Sequence, residues 1–354
     1  MNDQILPKDI LRECRTLAHV YDNTTATYKF YWFVSILDIL IKEGKTEISF
    51  WEIIAGMLSE SWYPIHYFRL SFGKSDSIFQ QSMALKELLN ISKEAEKDVI
   101  KNTILENIND REVKKIANIF TQNVPYRFLH PWISTSDNKE MELRSRAYEN
   151  DCLYAINGKT ITINPKWIDH LKDNYQILRD FSFWNLNVFL QRRNPNVPDL
   201  PSKLVKPIQR ESLQQQRGLW NLFIRENGGF NCIYTDAIIE GSSYDLDHFI
   251  PWSFVSHNQM WNLLPADSSI NSTKSDKLPD LDRFLYPFTQ KQHDFVRYIY
   301  AHRPNEKLLE DYLTITDSIP ELIEMDNENF LLAFKRVMSP LEQIASNMGF
   351  TYWL

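Results

Sequence analysis

The sequence predicts a mainly α-helical protein with a small α+β insert. Three observations lead there. Apolar residues recur at helical spacing over most of the chain, as in Ile78–Leu89 with Phe79, Met83, Leu85 and Leu88. Strand signals are few: an Asn157-Gly158 turn between β-rich runs at 154–163, and a short alternating run from Tyr244 to Phe249. Glycine is scarce, nine in 354 residues, and neither GxxxxGK(S/T) nor GxGxxG occurs, which argues against a glycine-rich phosphate loop.

Taken in order, the first 123 residues read as helices. Tyr28–Lys42 is apolar all round and so predicts a buried helix. Ile48–Ser61 is the next helix, and Pro64 and Gly73 break the aromatic stretch after it. That stretch holds His66 and Arg69 among aromatics, which either pack between helices or offer faces for stacked bases. Ile78–Leu89, Lys93–Glu106 and Arg111–Thr121 complete this part. The hairpin follows, with Asn157-Gly158 as its two-residue turn. Pro165 then opens a short helix over Lys166–Lys172, and Gln176–Gln191 is a long aromatic helix. Asn194–Pro201, with three prolines, is the clearest linker. Helix returns from Pro207 to Asn227, stopped by Gly228-Gly229, and again beyond Pro279 through Arg297–Ala301 and Phe330–Met348.

Composition bounds the function. The chain is 43% hydrophobic and 24% charged, enough to bury a core. A net charge of −7 argues against strong, sequence-independent coating of DNA, because phosphate contacts need lysine and arginine. Cys14, Cys152 and Cys232 lie far apart, without CxxC or Cys/His zinc spacing, and their sparse use fits a reducing cytosol. The N-terminus lacks signal-peptide character, and the apolar run Phe30–Ile41 is too short to span a bilayer. The expectation is a soluble, cytoplasmic protein with no membrane partner.

The chemistry gathers in Tyr244–Pro279. Asp247 and His248 are adjacent, Asn262 lies fourteen residues after His248, and Asn271 nine after that. A strand over Tyr244–Phe249, halted by Ile250-Pro251, precedes a polar helix over Asp267–Asp276, with Asp267 or Ser268 to cap it. Such a strand, loop and helix can bring Asp247, His248 and Asn271 to one point. Oxygen donors beside a histidine suit a hard divalent cation and a water-activating base.

These residues resemble the HNH nuclease superfamily, with its ββα-metal core. The motif is most similar to the HNH domain of RNA-guided CRISPR effector nucleases, Asp-His-(Ile/Val)-(Ile/Val)-Pro-x-Ser, then Asn, then Asn-x-x-Lys-Ser-Asp. Here it reads Asp247, His248, Phe249, Ile250, Pro251, Trp252, Ser253, then Asn262, then Asn271, Lys274, Ser275 and Asp276. Upstream, Cys232-Ile-Tyr-Thr235 fits the Cys-x-Tyr-Ser/Thr that often opens these domains. The resemblance covers roughly residues 215–280.

What it implies is a metal-dependent endonuclease hydrolysing DNA phosphodiester bonds, with RNA a less usual substrate. One Mg2+, or Mn2+ in its place, is implied on Asp247 and Asn271, with water and the scissile phosphate. His248 is the expected general base, since an unperturbed imidazole titrates near 6.5. Asn262 is expected to bond the backbone near that base and hold the loop. Lys274, one helical turn after Asn271, meets a phosphate or stands in solvent. Asp245 shares a strand face with Asp247 and reads as a surface carboxylate or a support to the site. Arg210, Arg217 and Arg225, seven and eight residues apart, are candidates for phosphate contacts from one helix face.

The expected organisation is a helical recognition or regulatory domain at 1–123, a mixed hairpin–helix segment and linker at 124–200, the HNH core at 201–285, and C-terminal helices packing on it at 286–354. One such site cuts one strand, so a double-strand cut needs a homodimer, a partner subunit or sequential nicks. By analogy the role is a bacterial defence or restriction effector. The alternatives are a homing or mobile-element nuclease and, from another class, a catalytically idle HNH scaffold that binds nucleic acid or protein.

Overall fold

The computed structural model describes residues 14–206, 211–235 and 237–353. The chain divides into two compact units, one of residues 1–195 with 203–206 and one of 196–202 with 207–354. The fold is largely helical, with four small sheets among the described residues.

The first unit is built on two crossing helices, Tyr28–Glu43 and Phe50–His66. The run Phe30–Leu37 is buried at every position, which explains why this helix carries no polar face. The helices approach closely because Gly56 has no side chain: a Cβ there would lie 2.8 Å from Oγ of Ser35. Ser49 and Glu52 form a capping box at the start of the second helix. That helix runs through Pro64 to His66 rather than breaking at the proline, because Trp62, Ile65 and His66 are all buried against the core.

The hairpin forms over Tyr154–Asn157 and Thr160–Ile163, and a third strand, Glu47–Ser49, pairs antiparallel with its second arm. The turn is Gly158-Lys159 rather than Asn157-Gly158, since Asn157 pairs with Thr160 and Gly158 takes the positive φ of 61°. This pairing joins the 124–195 region to the N-terminal helices in one unit, where the sequence suggests a separate segment. Tyr154 ties it further, its hydroxyl donating to the Pro125 carbonyl at 2.6 Å and accepting from Trp32 Nε1 at 3.1 Å. The start of the expected linker is also pinned. The Asn194 side chain accepts from the Ser71 amide and donates to the Ser71 carbonyl, both at 2.8 Å.

In the second unit one apolar core unites the helix Gln214–Glu226, the strand-and-loop region 230–266 and the C-terminal helices Leu281–His302 and Asn327–Asn347. Trp220 stacks on Phe295 with ring centroids 3.9 Å apart, and Phe249 on Phe288 at 4.0 Å. Residues after 285 thus complete the core that holds the motif. Two strands meet antiparallel, Asp245–His248 and Leu263–Ala266, and the helix Ser268–Lys274 follows. A short parallel pair joins Leu278–Pro279 to Tyr352–Trp353. No helix among the described residues is long and apolar enough to cross a membrane.

Candidate active site

The site sits where the Asp245–His248 strand faces the Ser268–Lys274 helix. The strand is short because Phe249 turns it into the loop: the Phe249 amide donates to the Asn262 carbonyl at 2.8 Å, just past the last paired residue. The helix starts at Asp267, whose carboxylate accepts from the Ser269 amide at 2.9 Å. The two elements then meet by two rungs. Asn271 Nδ2 donates to Asp245 Oδ2 at 3.3 Å, and Lys274 Nζ donates to Asp247 Oδ1 at 2.9 Å. Asp245 and Asp247 share a strand face by the period of two, and Asn271 and Lys274 share a helix face by the spacing of three. Strand and helix therefore run alongside one another in the same sense.

Asp247 is buried, at 2% exposure. Its Oδ1 takes the Lys274 ammonium and its Oδ2 takes the Tyr234 hydroxyl at 2.7 Å. Burial, and after it the Asp247 carboxylate, hold the Tyr234 hydroxyl well above the ordinary phenol range, so Tyr234 remains a proton donor at neutral pH. Lys274 also donates to the His248 carbonyl at 2.7 Å, and the residue has no exposed surface. This corrects the sequence expectation for Lys274. Its ammonium stands neither in solvent nor open to a phosphate; it fastens the Asp-His strand to the helix.

His248 is half-buried, with Nε2 3.0 Å from Oδ1 of Asn258. The Asn258 amide is oriented from the other side, where Nδ2 faces the Glu211 carbonyl at 3.5 Å, and the Asn258 carbonyl accepts from Gln216 Nε2 at 3.3 Å. An amide oxygen accepts, so this contact suits the neutral tautomer that carries its proton on Nε2.

Asn262 is fully buried and grips one residue from both sides. Its Oδ1 accepts from the Ile250 amide and its Nδ2 donates to the Ile250 carbonyl, each at 2.8 Å. Ile250 is two residues after His248, so the side chain fixes the turn out of the strand. The loop is anchored once more by the Met260 amide, which donates to Asp311 at 2.8 Å, and by Gln292, which donates to the Leu263 carbonyl at 2.7 Å.

The residues proposed for a metal are thus near one another along two rungs but are not bonded as a pair: Asn271 faces Asp245, and Asp247 faces Lys274. The donor set is one of hard oxygens. It holds two carboxylates and an amide carbonyl oxygen that has no protein partner, with no thiol, and no group of three or more His, Cys, Asp or Glu among the described residues forms a metal cage. That is too sparse for a structural zinc and suits a Mg2+ that keeps most of its waters.

The arginines separate. Arg210 lies outside the described residues. Arg217 does not face solvent as a free cation: it donates to the Tyr244 carbonyl at 2.7 Å and lies 4.8 Å over the Tyr244 ring, bracing the entry to the Asp245–His248 strand. Arg225 is exposed beside Glu226. The aromatics around His66 pack inside the first unit, with Trp62 and Phe68 buried, rather than presenting faces to bases. Sequence reasoning passed over Asn258 and gave Tyr234 no role. Tyr234 was within reach, because it occupies the tyrosine of the Cys-x-Tyr-Thr element; nothing in the spacing marks Asn258.

Residues 231–280 match the HNH endonuclease family. The chain is also similar to the CRISPR-associated endonuclease Cas9 of Listeria innocua serovar 6a, 26% identical over 154 residues, which is 43% of this chain and 11% of that protein. The chain therefore corresponds to a small part of that relative's length. No solved structure matches. Both likenesses support an HNH endonuclease domain at residues 231–280, and the family match does not reach the N-terminal region.

Proposed function

We propose that the chain is a metal-dependent endonuclease that hydrolyses DNA phosphodiester bonds, with His248 as general base. The observation that supports this best is the His248–Asn258 contact, inside a region that matches the endonuclease family. The Asn258 contact orients the imidazole, and a neutral imidazole so held is suited to accept a proton from water. Asn262 holds the turn after His248, and Tyr234 and Lys274 fix the neighbouring Asp247.

A single Mg2+, with Mn2+ as a substitute, would be held by Asp247 and the Asn271 carbonyl oxygen, Asp245 lying beside them. Bound there, it would supply charge stabilisation for the leaving 3′ oxygen. Each oxygen of Asp247 keeps one lone pair beyond the bonds it makes to Lys274 and Tyr234. One such site cuts one strand, and a homodimer or partner subunit would supply the second cut. The biological reading is a cytoplasmic bacterial defence effector, supported only by the likeness to a CRISPR-associated endonuclease.

One observation favours a second reading. Both Asp247 oxygens are already engaged by buried protein donors, as in a scaffold that keeps the fold and binds nucleic acid without cutting it. Conversion of supercoiled plasmid to nicked circle, with Mg2+ and with EDTA, separates the two. Nicking that requires the metal supports the nuclease; plasmid binding without nicking at any metal concentration supports the scaffold.

A further inference from the structure

The first unit carries a cleft of about 690 Å3, bounded by the 19–29 segment, Ser75 and the 123–131 segment. That volume falls within the roughly 300–1,000 Å3 typical of small-molecule sites. Its charge is unusual for so acidic a chain. Several cations elsewhere in this unit pair with carboxylates: Arg144 with Glu140 and Glu149, Arg179 with Asp38 and Glu60, Lys101 with Glu43. In the cleft, Lys29, Arg127 and His130 come together with no carboxylate bonded to them among the described residues. The lining holds one acid, Asp22, and His19 engages it at 2.8 Å.

The cations disturb one another. Burial first, and then Arg127, pull the Lys29 ammonium below its ordinary value, with Asp22 acting against them; burial, then Lys29 and Arg127, do the same to His130. An anion placed among them relieves that repulsion. The donors are available. Arg127 is exposed, its guanidinium bonded to no side chain or carbonyl among the described residues, and Lys29 uses one of its three protons on the Val20 carbonyl at 3.0 Å.

The walls are set in advance. The buried Asp76 carboxylate accepts from the Thr27 amide at 2.6 Å and from the Ile78 amide at 3.0 Å, and the Ser77 amide donates to the Tyr28 hydroxyl at 2.7 Å. These bonds tie the 24–28 segment to the 75–78 turn, so the cleft exists before any ligand arrives.

We propose that this cleft binds a phosphorylated small molecule. Its phosphate is held by the planar fork of Arg127 and the ammonium of Lys29, with His130 as a further donor. The assignment stands apart from the nuclease reading, since the cleft lies wholly in the first unit and its test is binding.

The test is isothermal titration calorimetry of the full chain with sodium pyrophosphate and with ATP as probes, against sulfate at matched ionic strength. At least one probe is expected to bind saturably, and Arg127→Glu to weaken it at least about tenfold, a loss of ~1.4 kcal/mol. Lys115→Glu, at an exposed lysine outside the cleft, leaves the affinity unchanged. Arg127 is exposed, so melting of R127E is expected to match wild type; Arg127→Gln is read in its place if it does not. Absence of saturable binding by both probes, or binding undiminished in the Arg127 variant, overturns the proposal. So does Arg127-dependent binding confined to a short single-stranded oligonucleotide, which would make the cleft a nucleic-acid surface.

Discussion

The ammonium of Lys274 lies 2.9 Å from a carboxylate oxygen of Asp247, and both side chains are closed to solvent, at 0% and 3% exposure. A buried pair of this kind costs desolvation on both sides, so its removal by halves is worse than its replacement. Lys274→Ala is therefore expected to destabilise the second unit by about 3–5 kcal/mol, because it strands the Asp247 charge. The double variant Lys274→Met with Asp247→Asn is expected to recover much of that loss. Urea melts of the three proteins check this. Equal loss in the single and double variants would show that packing, not the ion pair, governs the site.

Asn262 makes two bonds to one buried residue. Asn262→Ala leaves the Ile250 amide and carbonyl without partners, and each orphaned group costs about 1–3 kcal/mol. Faster hydrogen exchange at the Ile250 and Phe249 amides is the expected signature. Asn262→Asp retains an acceptor for the Ile250 amide but sets a buried, unpaired carboxylate against the Ile250 carbonyl, and is expected to lose at least as much stability as Asn262→Ala.

Asn258 lies 3.0 Å from Nε2 of the proposed base His248, so its replacement is expected to move a pH profile rather than abolish activity. In Asn258→Asp the new carboxylate favours the charged imidazolium and raises the histidine pKa. A base must be neutral to accept a proton, so the acidic limb of the nicking rate should shift to higher pH. A profile identical to wild type would remove Asn258 from the account.

His66 supplies a stability test independent of the catalytic site. Burial, followed by the nearby Lys86, lowers its pKa to about 4, while its Nε2 lies 2.9 Å from the Ser82 hydroxyl. A depressed folded-state value means that the unfolded chain binds the proton first as pH falls. His66 thus contributes stability that is fully present above about pH 6.5 and is lost on acidification through about pH 4. Melting temperatures of wild type and His66→Gln across that interval check it. The variant is expected to lose less on acidification.

The arginines predict different readouts. Arg225, exposed, is expected to lower DNA affinity when changed to alanine and to reduce the salt slope by about 1. Arg217→Ala is expected to lower the melting temperature and leave that slope alone, because its guanidinium braces the Tyr244 carbonyl. Gel-shift titrations over a range of salt, paired with thermal melts, distinguish them.

Local patterns carried much of this structure. Ile78–Leu89 and Arg111–Thr121 are helices at the bounds their periodicity sets, and Asp267 caps the helix after the Asp-His strand. What the sequence could not show is pairing at a distance. Gly56 gives no local sign that Ser35 lies against it, and the Glu47–Ser49 strand reads as the lead-in to a helix until the hairpin more than a hundred residues later pairs with it. The same limit applies at the site. A spacing of three puts Asn271 and Lys274 on one face, but only the register of strand against helix decides that Asn271 meets Asp245 and Lys274 meets Asp247.

The central claim is that His248 takes the proton from the attacking water. The direct measurement is the single-turnover rate of plasmid nicking in Mg2+ for wild type and His248→Ala, with DNA affinity and melting temperature measured on both. The account predicts a loss of about 10^2- to 10^4-fold in rate with affinity and fold retained. Metal-dependent nicking that survives His248→Ala at close to the wild-type rate would contradict it.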